Sequence, residues 1–218
     1  MNYKDLSPEE LMCYTGRRMR EAGMVTANDG NLSLRLDDGN ILCTPTGIPK
    51  DLMTADMLCV ISPEGEVLQN GSFSRPSSEV KMHLSVYRNL PDTKAVVHAH
   101  PVYATTFAAA GEDLKDHILI ESVEQFGEVK CVKYAAPSTD ELAVSIEPYL
   151  SGSRGLLLEF HGALTWSSRG LMEAYMKMES LEFYARVLYQ KRLLGNENRL
   201  EEGRVRELLW IKEKLGIE

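Results

Sequence analysis

The 218-residue sequence is short of positive charge, of cysteine, of histidine and of long apolar runs. Against 32 Asp and Glu stand 24 Lys and Arg, a formal net charge of −8. That balance argues against a broad nucleic-acid surface or an anionic-membrane surface. Phosphate binding stays open, because backbone N–H groups and hydroxyls can hold a small phosphate without formal charge. No apolar run approaches the roughly 20 residues that span a bilayer. Met1-Asn2-Tyr3-Lys4-Asp5 leads into polar helix-start chemistry and not into a signal peptide. The expectation is a soluble cytoplasmic protein with no nucleic-acid or membrane partner. The four cysteines, Cys13, Cys43, Cys59 and Cys131, form no C-x-x-C pair. Cys43, Cys59 and Cys131 fall in strand-like apolar runs and read as buried thiols in a reducing compartment. Disulfides and thiolate ligands are the weaker readings.

Hydrophobic residues make up 44% of the chain, enough for one sizeable core. No repeat or long linker divides it, so residues 1–218 read as a single domain with a helical segment from about 196. Ser7-Pro8-Glu9-Glu10 is a helix start: a hydroxyl cap, proline in the first turn, then acids at the positive end of the dipole. Leu32 to Leu36 alternates as a strand, Asp37-Asp38-Gly39-Asn40 turns, and Ile41 to Thr44 returns. Further strands are expected at Met57–Ser62, Glu66–Leu68, Lys94–Val97, Ile118–Ile120, Val129–Val132 and Gly155–Phe160. The run from Gly71 to Glu79 is polar and irregular and feeds a helix with Val80, Leu84 and Tyr87 on one side. Helices are also expected from Pro101 to Ala110, from Pro137 to near Leu150, from Ser168 to about Leu194, and from Glu201 to Leu215. An early meander with helices interspersed predicts one layered α/β domain on a mixed, largely antiparallel sheet.

The chemistry concentrates in a few places. His98 and His100 stand two apart at the end of a strand, so their imidazoles face the same way. Two neutral nitrogens side by side suit Zn²⁺ if further ligands arrive from elsewhere. His161 stands at a second strand end, before Gly162, where backbone can approach a site closely. Glu79 could be a fourth ligand or a general base, or simply an acid that favours a helix start. His83 and His117 lack a comparable setting. For His83 a contact with Glu79, four residues earlier on the same helix face, is expected, with a supporting role behind the ligands as the alternative. A second cluster, Asn31, Thr46, Gly47, Ser77 and Ser78, offers amide, hydroxyl and N–H donors in loops and near a helix start. Singly, each is an ordinary cap or turn residue.

The ordered set Gly30-Asn31-Leu32-Ser33, Thr44-Pro45-Thr46-Gly47, Pro76-Ser77-Ser78-Glu79, His98-Ala99-His100 and His161-Gly162-Ala163-Leu164 resembles the class II aldolase/adducin family. Within the family it is most similar to the L-fuculose-1-phosphate aldolase group, from about Leu6 to Leu194. The resemblance implies a three-layer α/β/α sandwich and a homotetramer with active sites at subunit interfaces. It implies one zinc per subunit on His98, His100 and His161, with manganese or cobalt as alternatives. Glu79 would be a movable fourth ligand and the acid/base, and Asn31, Thr46, Gly47, Ser77 and Ser78 would hold a substrate phosphate.

The activity so implied is cleavage of a ketose 1-phosphate to dihydroxyacetone phosphate and an aldehyde. Sugar-phosphate 4-epimerase and methylthioribulose-1-phosphate dehydratase are the alternatives on the same scaffold, and an adducin-type binding module is the weakest. The sequence departs from the fuculose-specific pattern at one place. The tyrosine expected about nineteen residues beyond the second histidine of H-x-H, and another in the C-terminal tail, are missing; the last tyrosine is Tyr189. His117 or Glu121 is the positional substitute for the missing proton donor.

Overall fold

A computed structural model describes residues 3–72 and 74–215. Phe73 in the irregular run, Met1 and Asn2 of the leader reading, and residues 216–218 lie outside the described residues. Helix α1 spans Pro8–Glu21 and starts on a reciprocal cap. Ser7 Oγ accepts the Glu10 N–H at 3.2 Å, and Glu10 Oε2 accepts the Ser7 N–H at 2.9 Å.

Eight strands follow: β1 Asn31–Arg35, β2 Ile41–Cys43, β3 Cys59–Ile61, β4 Val67–Gln69, β5 Ala95–Ala99, β6 Lys130–Val132, β7 Gly155–Leu158 and β8 Gly162–Ser167. They form one sheet in the order β4-β3-β2-β1-β5-β8-β7-β6. Every pairing is antiparallel except β6 with β7. The remaining helices are α2 Val80–Asn89, α3 Val102–Ala110, α4 Ile120–Gln125, α5 Asp140–Ser145, α6 Glu147–Leu150, α7 Leu171–Leu193 and α8 Glu202–Leu215.

Strand alternation splits the core into two layers. Leu32, Ala95, Val97 and Ala163 meet α1, α3 and α7 on one face. Ile41, Cys43, Val96, Leu156 and Leu164 meet α2, α5 and α6 on the other. Helices therefore cover both faces of a mixed, mostly antiparallel sheet, as expected from the sequence. Among the described residues, no helix is long and apolar enough to cross a membrane. All four cysteines are free, with Cys131 only half-buried.

Three local expectations are corrected. Ile118–Ile120 is not a strand: Leu119 is extended and caps α4, which begins at Ile120. The run is three residues long and pairs with no strand of the sheet. The strand from Gly155 ends at Leu158, and Met57 belongs to a short 3₁₀ turn ahead of β3. The third correction is an omission. β8 (Gly-Ala-Leu-Thr-Trp-Ser), unread in the sequence, lies between β5 and β7 with all six residues buried. Buried on both faces, it shows no alternation, and the β-favouring Leu164-Thr165-Trp166 was its only signal.

Candidate active site

The site begins with register. β1 pairs with β5 so that Asn31 lies opposite His98 and Ser33 opposite Val96. Asn31, Ser33 and His98 therefore share the sheet face turned toward α2. Gly30 makes this approach possible: its φ is +72°, and a Cβ there would sit 2.9 Å from His98 O and 2.6 Å from Val25 Cγ1.

His100 stands one residue beyond β5, its N–H donating to Met24 O at 2.9 Å. Pro101 caps α3 without a side-chain oxygen to offer. A carboxylate from α7 takes that role, since Glu182 accepts the N–H groups of Tyr103 and Ala104 at 2.9 and 2.8 Å. The turn after the histidine pair is thereby tied to the long helix.

His161 comes from the tip of the β7–β8 hairpin, Glu159-Phe160-His161. Phe160 is left-handed there, with φ 59°, at a cost of about 1–2 kcal/mol for a residue bearing a Cβ. Gly162 follows because a Cβ would meet Ala99 O at 2.5 Å and His100 Cδ2 at 2.6 Å. Any larger residue would push the second histidine away from the third.

The three rings converge, with centroids 4.6–5.0 Å apart. One ligand atom from each lies within 4.8 Å of the others. His98 Nδ1 stands 2.9 Å from Ala163 O. A carbonyl only accepts, so Nδ1 carries the proton and Nε2 keeps its lone pair for the cluster. His98 Nε2 and His100 Nε2 are 3.0 Å apart, close to the roughly 3.3 Å between two nitrogens on one tetrahedral zinc.

Glu79 closes the group, with Oε1 3.2 Å from His161 Nε2 and Oε2 3.5 Å from His98 Nε2. Oε1 is buried without a hydrogen bond of acceptable geometry. Three imidazoles, an oxygen lacking a partner and a lone pair aimed inward fit a divalent cation.

Burial pushes the His98 imidazole far below the usual histidine range, so it is neutral and able to ligate. Burial also lowers His100, against the pull of Asp29, whose carboxylate lies 3.7 Å from Nδ1. For Glu79, burial alone works upward; the imidazoles of His98 and His161 and the Asn31 amide overturn it and hold the carboxyl well below the ordinary range. The Asn31 N–H, donated at 2.8 Å, supports the carboxylate even with neutral rings.

The donor cluster assembles around the same end of α2, where Glu79 is the cap and Ser77 and Ser78 precede it. A bridge between Pro45 and Pro76 holds the Thr46–Gly47 loop against this segment. It uses donors that the sequence reading had left available: Thr46 N–H goes to Arg75 O at 2.9 Å and Ser77 N–H to Thr44 O at 3.1 Å. Ser77 Oγ accepts the Glu79 N–H at 3.3 Å, and Ser78 Oγ accepts from Ser138 Oγ at 2.8 Å.

Beneath these loops lies Lys50, almost wholly buried, which sequence reasoning passed over. Its ammonium donates to Asn28 O at 3.1 Å and Ile48 O at 2.7 Å, clamping the loop ahead of Asn31 to the loop holding Gly47. Burial lowers its pKa from 10.5 to about 8, against the opposing pull of Asp29 and Glu79. The folded state therefore sheds this proton before the unfolded chain does. The burial penalty, about 3 kcal/mol in full, is present below about pH 8 and relieved as pH rises toward 10.5. Urea unfolding of the wild type and of Lys50→Met between pH 7 and 10.5 should show the wild type gaining on the variant across that window. A pH-independent difference would refute the assignment.

Residues 10–189 match the class II aldolase and adducin N-terminal domain. The chain belongs to the class II aldolase and adducin family. A 3-oxo-tetronate 4-phosphate decarboxylase of Haemophilus influenzae is 32% identical over 190 residues, covering 85% of this chain and 88% of that protein. An L-fuculose phosphate aldolase of Methanococcus maripaludis is 32% identical over 174 residues, 79% of this chain and 91% of its own. The solved structure of an L-fuculose 1-phosphate aldolase aligns with a TM-score of 0.87 at 26% identity, covering 97% of this chain and 98% of that one.

In this class II aldolase-family chain, two sequence expectations fare differently from the cluster. His83 makes no hydrogen bond to Glu79 four residues before it; its nitrogens bond to Asn31 Oδ1 at 2.6 Å and Ser33 Oγ at 2.7 Å. Neither substitute proton donor bonds to the histidine cluster. His117 accepts the Leu200 N–H through its carbonyl, and its buried Nδ1 has no partner. Glu121 stands on α4, which packs against α7 and α8.

Proposed function

We propose that the chain is a metal-dependent carbon–carbon lyase that releases dihydroxyacetone phosphate. Zinc would be held by His98, His100 and His161, with Glu79 as an exchangeable fourth ligand and the proton-transfer group. The observation that carries this is the Glu79 carboxylate held by Asn31 within 3.5 Å of two imidazole nitrogens. When bound, the cation would polarise a substrate ketone and stabilise negative charge developing beside it. Asn31, Thr46, Gly47, Ser77 and Ser78 would hold the substrate phosphate, mainly through side-chain hydroxyls and the Asn31 amide, since two of their backbone donors are already engaged. Assembly as a homotetramer with sites at subunit boundaries is part of the same reading, and sedimentation velocity measures it.

Two substrates share this product. Cleaving a ketose 1-phosphate between C3 and C4 leaves dihydroxyacetone phosphate and an aldehyde; decarboxylating a 3-oxo-tetronate 4-phosphate leaves dihydroxyacetone phosphate and CO₂. In both, the electron pair of the broken bond stays on the carbon beside the ketone, and Glu79 returns a proton there. Aldehyde formation also requires a base for the hydroxyl proton of the departing fragment, whereas CO₂ leaves with no proton to lose. Nineteen residues beyond His100 stands Leu119, an aliphatic side chain at the cap of α4, which favours the decarboxylation reading.

Purified zinc-loaded protein should release dihydroxyacetone phosphate from a panel holding L-fuculose 1-phosphate and 3-oxo-tetronate 4-phosphate. Evolved CO₂ or a carbonyl co-product then separates the two reactions. Turnover of neither, with epimerised or dehydrated product instead, would overturn the lyase reading.

A further inference from the structure

A run of hydrogen bonds descends from Glu79 into the core. Asn31 Nδ2 reaches Glu79 Oε2 at 2.8 Å, His83 Nε2 reaches Asn31 Oδ1 at 2.6 Å, Ser33 Oγ reaches His83 Nδ1 at 2.7 Å, and Tyr87 Oη reaches Ser33 Oγ at 2.8 Å. Asn31, Ser33, His83 and Tyr87 are each at most 4% exposed, so water does not compete for these bonds.

Their directions follow from what each atom can do. The carboxylate only accepts, so Asn31 presents its amide nitrogen to Glu79 and its oxygen to His83. That oxygen only accepts, so the proton of the imidazole is on Nε2. Burial lowers His83 to about pKa 4, which leaves the ring neutral and Nδ1 an acceptor. Ser33 then donates to Nδ1 and accepts from the Tyr87 hydroxyl. Every proton in the run is placed, and the reverse orientation of Asn31 would set an amide oxygen against the carboxylate.

We propose that His83 is a positioning residue: its Nε2–H pins Asn31 Oδ1, turning one amide N–H to Glu79 and leaving the other for the substrate phosphate. The clause on phosphate rests on the function proposed above; the pinning of Asn31 does not. Without the pin the amide is free to rotate by half a turn and show its oxygen to both anions.

Two substitutions separate the ends of the ring. His83→Gln carries an amide nitrogen near the Nε2 position and can still donate to Asn31. His83→Asn reaches only the Nδ1 position, satisfying Ser33 and releasing Asn31. With inorganic phosphate as the probe in calorimetry of the zinc-loaded protein, His83→Gln should stay within about threefold of wild type. His83→Asn and Asn31→Ala should each bind about ten- to a hundredfold more weakly, and His83→Asn should add nothing in the Asn31→Ala background.

Equal losses in both His83 variants, or a His83→Asn loss that persists without Asn31, would overturn the proposal. Nitrogen-15 NMR of the wild type decides it independently of any variant's folding. The expected signature is one Nε2–H tautomer of His83, unchanged from pH 5 to 8; an Nδ1–H tautomer or a ring that protonates in that range overturns it. If the wild type binds no phosphate, the phosphate assignment of Asn31 falls, and the tautomer alone judges the pin.

Discussion

His98→Ala is expected to weaken zinc binding by two to three powers of ten and to remove lyase activity with it. A four-ligand zinc site is worth roughly 10–16 kcal/mol, or about 3–4 kcal/mol for each ligand, which sets that scale. His98 is the sharpest choice among the three. It is fully buried, its ring is oriented by the bond from Nδ1 to Ala163 O, and its inward nitrogen faces both His100 and Glu79. Zinc that binds only the folded state should raise the wild-type melting temperature, by an amount equivalent to about 2.7 kcal/mol at a hundred times Kd. The variant should show little or no rise at the same free zinc. Its lower melting point without metal reflects the cavity left by the ring and is measured separately. A variant that kept the zinc-dependent rise would place the cation elsewhere.

What could be read of this centre beforehand depended on whether a contact was local in the chain. The pairing of His98 with His100 is legible because a strand turns alternate residues the same way, and β5 does reach to Ala99. His161 was legible as a histidine ahead of a glycine at a strand end. The reason for that glycine was not: it depends on Ala99 and His100 arriving from β5. β8 was missed because a strand buried on both faces loses the alternation that marks a strand in sequence. For the same reason the sequence could not show how closely the third histidine is packed against the first two.

His83 illustrates the opposite error. Local spacing pointed to Glu79 four residues away, yet the ring turns toward β1 and bonds to Asn31 and Ser33, some fifty residues earlier. The β1–β5 register, which sets Asn31 opposite His98, brings one amide within reach of both His83 and Glu79. Lys50 and Glu182 were invisible on similar grounds. Each satisfies backbone groups of distant loops, and backbone partners leave no residue-type pattern to find.

Glu79→Gln is expected to slow proton transfer by about 10² to 10⁴, the usual contribution of a positioned acid or base, while zinc remains bound on the three imidazoles. An amide of the same shape can still accept from Asn31 through its oxygen, so the change removes basicity and leaves the packing almost untouched. Activity alone would be an ambiguous reading, since the co-product differs between retro-aldol cleavage and decarboxylation. The shared half of both reactions avoids that ambiguity. Dihydroxyacetone phosphate with wild-type protein in D₂O should exchange a single hydrogen of its hydroxymethyl carbon. One carboxylate approaching from one side removes and returns that proton, and proton NMR follows the loss of signal. Glu79 is poised for this task because it is ionised at neutral pH and close to His98 and His161, with Asn31 fixing its other oxygen. In Glu79→Gln the exchange should fall by the same 10² to 10⁴ as turnover. Exchange at the wild-type rate would show that another group moves the proton and would leave Glu79 as a ligand alone.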